Sequence, residues 1–159
     1  MSTITDIAPA RSRALWRAGV VLAIVVACDQ VTKAAVRANL VQGDVRHVFP
    51  GLELVDARNS GVAFGLLSGG QTLVPVLIGI AVAALVAYFI RHLGRPGLWL
   101  PTGLLLGGAL GNLIDRVRGD AVVDFIKPVL WPAFNVADAA ITVGILSLLV
   151  VIYRSAPRE

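Results

Sequence analysis

Long apolar runs alternate with short polar clusters along this chain. Thr72–Ile90 is interrupted only by Pro75 and small residues, and Leu98–Ile114 continues until Asp115-Arg116 stops it. A membrane span needs about 20 mostly apolar residues. Ala139–Tyr153 reaches that length only by starting near Phe134, which takes Asn135 and Asp138 into the helix. Ala18–Cys28 reaches it only when extended to about Arg13–Lys33, with Asp29 inside. The pattern predicts an α-helical integral membrane protein of four spans, at about 13–33, 70–91, 97–115 and 134–154. Two stretches do not span. In about 38–65, Phe49, Leu52 and Leu54 alternate with polar neighbours and Asn59-Ser60-Gly61 reads as a turn, which predicts short strands. The other, about 117–132, carries Pro128, Pro132 and the interface-favouring Trp131.

Composition agrees with the pattern. The 159 residues fit one domain, 57% of them apolar and only 15% charged. A soluble domain is about a quarter charged, so this chain lacks the polar surface of an ordinary cytosolic enzyme. The net charge of +4 does not point to nucleic acid, because the cations sit at segment ends, where membrane proteins keep interfacial anchors. The lone Cys28 excludes an internal disulfide, and His47 and His92 stand apart with no zinc-type spacing, so no metal or cofactor is expected. Arg11, Arg13, Arg17, Arg91, Arg95, Arg154 and Arg158 lie on the side of the termini, and Lys33, Arg37, Arg46, Arg58, Arg116, Arg118 and Lys127 on the other. The first set is packed closer to the span ends, which orients both termini toward the cytoplasm.

Because successive spans alternate in direction, the polar residues collect on one face. Asp29 ends span one, Asn112 and Asp115 end span three, Asn135 and Asp138 open span four, and Asn59 precedes span two. Ionisable residues at membrane depth mark functional sites. Asn112 shares a helix face with Asp115, as Asn135 does with Asp138, and Asp29 can pair with Lys33 at i+4. Gly103, Gly107 and Gly111 form a ladder that reads as helix packing. Asp29 and Asp115 have cations close in sequence (Lys33; Arg116 and Arg118), which suits structural or orienting work. Asp124 and Asp138 stand among apolar neighbours, with Lys127 near Asp124 the exception. Apolar surroundings disfavour a carboxylate's charged form, and two such groups together can share one proton, the arrangement of aspartic proteases.

Blander readings compete. An Asp or Asn in a span is as often interhelical glue as a site. Buried acids also serve ion carriers, but a carrier needs a polar path through the bilayer, and the inner halves of spans two to four are apolar. A Ser60–Lys33 hydrolase lacks an evident oxyanion device. Val25-Val26-Ala27-Cys28 resembles a lipobox, yet three more spans and no soluble domain follow it.

Five blocks in order carry a family resemblance: Asp29-Gln30-Val31-Thr32-Lys33, Asn59-Ser60-Gly61-Val62-Ala63-Phe64, Gly107 to Arg116, Val122-Val123-Asp124-Phe125, and Phe134-Asn135-Val136-Ala137-Asp138. Through them the chain resembles the lipoprotein signal peptidases (signal peptidase II), aspartic proteases of the bacterial inner membrane. The resemblance implies a four-helix membrane domain with a small extracytoplasmic β-rich cradle and cytoplasmic termini; a lid-like loop or helix over residues 117–132, with Phe125 and Trp131, is expected to cover the bound peptide. It implies Asp124 and Asp138 as the catalytic pair, with Asn59, Gly61, Asn112, Arg116 and Asn135 binding substrate or orienting the pair. Asp29, Lys33 and Asp115 would support the fold. The implied partners are diacylglyceryl-modified prolipoproteins, cut just before the lipidated Cys, and membrane lipids around a monomer, with no nucleic acid, metal or cofactor.

Overall fold

The computed structural model describes residues 4–60, 70–119 and 121–155. These form four helices and three strands in the order α1 Ile4–Asn39, β1 Val45–Phe49, β2 Leu52–Asn59, α2 Gly70–Arg91, α3 Trp99–Gly119, β3 Val122–Pro128 and α4 Val136–Arg154. By length and composition, Ala10–Asn39 and Val136–Arg154 can each cross a membrane, and Gly79–Arg91 is a shorter apolar helix. Helix α1 runs beyond residues 13–33 at both ends, and Asn135 caps α4 from outside the helix.

Helix α3 is the hub, and its glycines explain why. A Cβ on Gly103 or Gly107 would stand 2.7 or 2.8 Å from Val21 or Val25 of α1, and one on Gly108 would stand 2.5 Å from the Ala137 carbonyl of α4. With no side chain in the way, the three backbones approach closely. In lipid, where apolar contact alone drives little association, such packing is a main source of helix adhesion.

The burial pattern is inverted relative to a soluble protein. Asp29, Lys33, Thr102 and Asn135 are fully buried and Asn112 and Asp115 nearly so, while Ile80, Leu146, Leu149 and Val150 are exposed on the helix surfaces. Polar groups hold the centre and apolar ones meet the surroundings, as the membrane reading requires.

The strands form one antiparallel sheet in the order β1-β2-β3. Bulges interrupt the register between His47 and Phe49 and between Leu54 and Ala57; beyond the second, Ala57 lies opposite Asp124. The β1–β2 turn passes through Pro50-Gly51, where Gly51 has φ of 95°, a conformation that favours glycine. The sheet corrects one expectation: residues 122–128 of the supposed lid form β3 instead. Phe125 is not free to cover a ligand, because it is buried with Val36 and Val123 against the end of α1.

Candidate active site

The site is built around a buried lysine. The three ammonium protons of Lys33 go to Asp29 Oδ2 at 2.8 Å, Asp115 Oδ2 at 2.9 Å and Asn112 Oδ1 at 3.0 Å. Each flanking acid then reaches one residue short of a candidate catalytic aspartate. Asp115 Oδ2 accepts the Val123 N–H at 3.1 Å, just before Asp124, and Asp29 Oδ1 accepts the Ala137 N–H at 3.0 Å, just before Asp138. One cation thereby ties together α1, α3, the start of β3 and the first turn of α4. Taking charges out of water is costly unless every one is paired and hydrogen-bonded. This cluster meets that condition, with Arg37 adding a 3.5 Å contact to Asp115 Oδ1.

Three carboxamides hold the two aspartates. Asn59 Nδ2 donates to Asp124 Oδ2 at 3.0 Å, and Asn135 Nδ2 to Asp124 Oδ1 at 2.7 Å. Asn112 Nδ2 donates to Asp138 Oδ1 at 2.8 Å, and the Asn135 backbone N–H to Asp138 Oδ2 at 3.2 Å. The orientation of the Asn112 amide is fixed: its oxygen accepts from both Lys33 and Asn135, so its nitrogen must face Asp138. Asn135 and Asp138 also form a reciprocal capping box, with the Asp138 N–H on Asn135 Oδ1 at 2.9 Å. Neutral donors thus contact the two carboxylates directly, while the cation stands one carboxamide away.

That arrangement leaves the pair free to keep a proton. Burial pushes the Asp124 carboxyl above its ordinary range; the hydrogen bond from Asn59 opposes the rise and the charge of Asp138 adds to it. Beside Asp138 opens a cavity of about 470 Å³ between α2, α3 and α4. Val82, Leu85, Leu105, Ile141 and Ile145 line its stem, and its polar lining is Asn112, Arg116 and Asp138. The α3 lining runs from Leu105 to Arg116, about 16 Å of helix.

The structure thus brings Asn59, Asn112, Asp124, Asn135 and Asp138 together, with Arg116 on the cavity wall and Asp29, Lys33 and Asp115 behind them. Gly61 lies outside the described residues, as does the remainder of its block through Phe64. Two expected neighbours turn away. Arg116 and Arg118 do not pair with Asp115; Arg116 donates to the Asn112 carbonyl at 3.2 Å and Arg118 to Gln30 Oε1 at 3.3 Å. Arg116, at i+1 on the helix, faces another direction, and Arg118, at i+3, is taken by Gln30 of α1. Lys127 pairs with Glu53 at 3.1 Å across the sheet, because an odd spacing along a strand points it away from Asp124. Lys33, with its three protons committed, is not a free base for Ser60. Gln30, not among the residues expected at the site, joins it: its Nε2 reaches Asp29, Asp115 and the Gly111 carbonyl at 3.1–3.3 Å. Its place between Asp29 and Lys33 was the available signal.

Fold and site together define an integral membrane protein with a carboxylate pair set among its helices. The family model for signal peptidase (SPase) II matches residues 21–154. A lipoprotein signal peptidase of Pelotomaculum thermopropionicum is 44% identical over 79% of this chain and 84% of its own length. One from Syntrophomonas wolfei is 41% identical over 86% and 92%. A solved bacterial membrane enzyme superposes with a TM-score of 0.81 at 34% identity, covering 87% of this chain and 94% of that one. The chain belongs to the signal peptidase II family and is a membrane-bound peptidase.

Proposed function

We propose that this protein is an aspartic endopeptidase that removes signal peptides from diacylglyceryl-modified prolipoproteins, cutting just before the lipidated Cys. One observation carries the reading: Asp124 from β3 and Asp138 from α4 are held by the mutually hydrogen-bonded carboxamides of Asn135 and Asn112, with Asp138 on the wall of a largely apolar cavity. In the reaction, one carboxyl is ionised and its partner protonated, the proton favouring buried Asp124. Asp138 takes a proton from water as the water oxygen attacks the scissile carbonyl, while Asp124 gives its proton to the carbonyl oxygen. The tetrahedral adduct collapses when Asp138 passes its proton to the departing amine and the carbonyl re-forms, returning a proton to Asp124.

The other residues serve this step. Asn59, Asn112 and Asn135 fix the carboxyls, and Asp29, Lys33 and Asp115 fix the backbone that carries them. Arg116, on the cavity wall, faces the substrate's carbonyl or ester oxygens, and Gly61 contributes to substrate binding. The apolar stem takes the signal helix and acyl chain. In the membrane, α1 to α4 make four passes in a single domain, with spans near 13–33, 70–91, 97–115 and 134–154. Both termini lie in the cytoplasm, and the sheet lies on the outer side of the inner membrane, where water reaches the pair. The enzyme works as a monomer without metal.

The test is incubation of the purified protein with a prolipoprotein before and after diacylglyceryl modification. The reading predicts release of the signal peptide from the modified form, with the new N-terminus at the lipidated Cys. Cleavage at another bond, or equal cleavage of both forms, would refute it.

A further inference from the structure

The two turns at the far end of the sheet are exposed and apolar. On one, Val48 and Phe49 are 51% and 59% exposed; on the other, Val129, Leu130 and Trp131 are 64%, 93% and 67% exposed. The turns are joined, since the Val129 N–H donates to the Gly51 carbonyl at 3.2 Å. The second is itself closed at its base, where Phe134 and Ile126 exchange hydrogen bonds of 2.9 Å. Together they make one stiff knob with a groove of about 440 Å³ along it. The candidate site uses none of these side chains. In water so large an apolar patch is unfavourable, and it marks an interaction surface.

We propose that this knob seats in the lipid headgroup and upper acyl region of the leaflet on the sheet's side, with Trp131 as its anchor. Trp131 stands four residues before Asn135, the cap of α4, and so within about 14 Å of that helix end along the chain. The interfacial layer on each side is roughly 5–8 Å deep, enough for Trp131 and Leu130 to enter while the strands stay in water. The neighbouring charge is slightly positive: Lys127 pairs with Glu53 at 3.1 Å, and Arg46 of β1, which donates to the Asn39 carbonyl at 2.9 Å, adds a further cation. Cations at this level face lipid phosphates, and tryptophan prefers the same layer. Seated so, the knob fixes the height of β3, and with it Asp124, relative to the bilayer.

The sequence holds two other tryptophans, Trp16 and Trp99. Trp99 lies under Arg17, 5.6 Å from its guanidinium carbon, at the opposite end of the bundle. The Trp16→Phe/Trp99→Phe protein, reconstituted in phosphatidylglycerol-containing vesicles, therefore reports on Trp131 alone. Lipids brominated high on the acyl chain are expected to quench most of its emission, and aqueous iodide little. The difference in emission between wild type and Trp131→Phe gives the same readout without touching the other two. Strong iodide quenching with no loss to brominated lipid would overturn the proposal. So would protection from iodide seen only after a lipidated peptide is added, which would make the knob a peptide platform.

Discussion

At the residue scale, burial and uncharged hydrogen-bond donors act on Asp124 in opposite directions. Burial raises its pKa, and the Asn59 hydrogen bond to Oδ2 restrains that rise by favouring the anion. Removing a donor to an anion destabilises the anion. Asn59→Ala is therefore expected to raise the Asp124 pKa further and to move the limb of the kcat/KM profile governed by the pair to higher pH. An unshifted profile in a folded variant would contradict this. The linkage has a definite sign. Because the folded pKa lies above the unfolded one, the native state retains a proton that the unfolded chain releases in the window between them. The Asp124 contribution to stability falls as pH rises through that window and is constant above it.

At the element scale, helix adhesion depends on where glycine stands. Gly107 faces α1, and a Cβ there would meet Val25 at 2.8 Å, whereas one on Gly79 of α2 meets nothing within 4 Å. Gly107→Ala is expected to cost about 1–3 kcal/mol by overpacking. Gly79→Ala is expected to gain roughly 0.5–1 kcal/mol from backbone entropy alone. Thermal unfolding in detergent checks both signs; equal effects would refute the packing account. Much of this was legible in the chain. The glycine ladder, the Asp29–Lys33 spacing and the alternation at Phe49, Leu52 and Leu54 each gave the observed contact or strand. The run Val122-Val123-Asp124-Phe125-Ile126 was itself a strand signal: a short apolar stretch, rich in β-branched residues and closed by Pro128. Exposed-looking aromatics, Phe125 and Trp131, suggest a lid over the same segment, and nothing local in the sequence shows that Phe125 packs against α1. Asn135 was read as part of a helix because spacing alone does not distinguish a cap from a first turn, although Asn-x-x-Asp is a capping pattern. The Lys33–Asn112 bond joins residues 79 positions apart, and no local period encodes it.

At the scale of the whole molecule, one cluster of charges is held where solvent is scarce. A single buried ammonium organises two acids, each gripping the backbone beside one candidate catalytic aspartate. The cluster behind the pair thus gives geometry, and the carboxamides in front contact the two carboxyls without a charge of their own. Asp124 reaches this place on a strand and Asp138 on a helix, so the site exists only in the assembled fold. The most direct test replaces each carboxyl by its isostere. Purified Asp124→Asn and Asp138→Asn proteins, matched to wild type in detergent melting, are incubated with diacylglyceryl-modified prolipoprotein while signal-peptide release is followed. The account predicts that each variant alone loses cleavage essentially completely. Turnover near the wild-type rate in either would contradict the claim that these two carboxyls act as one pair.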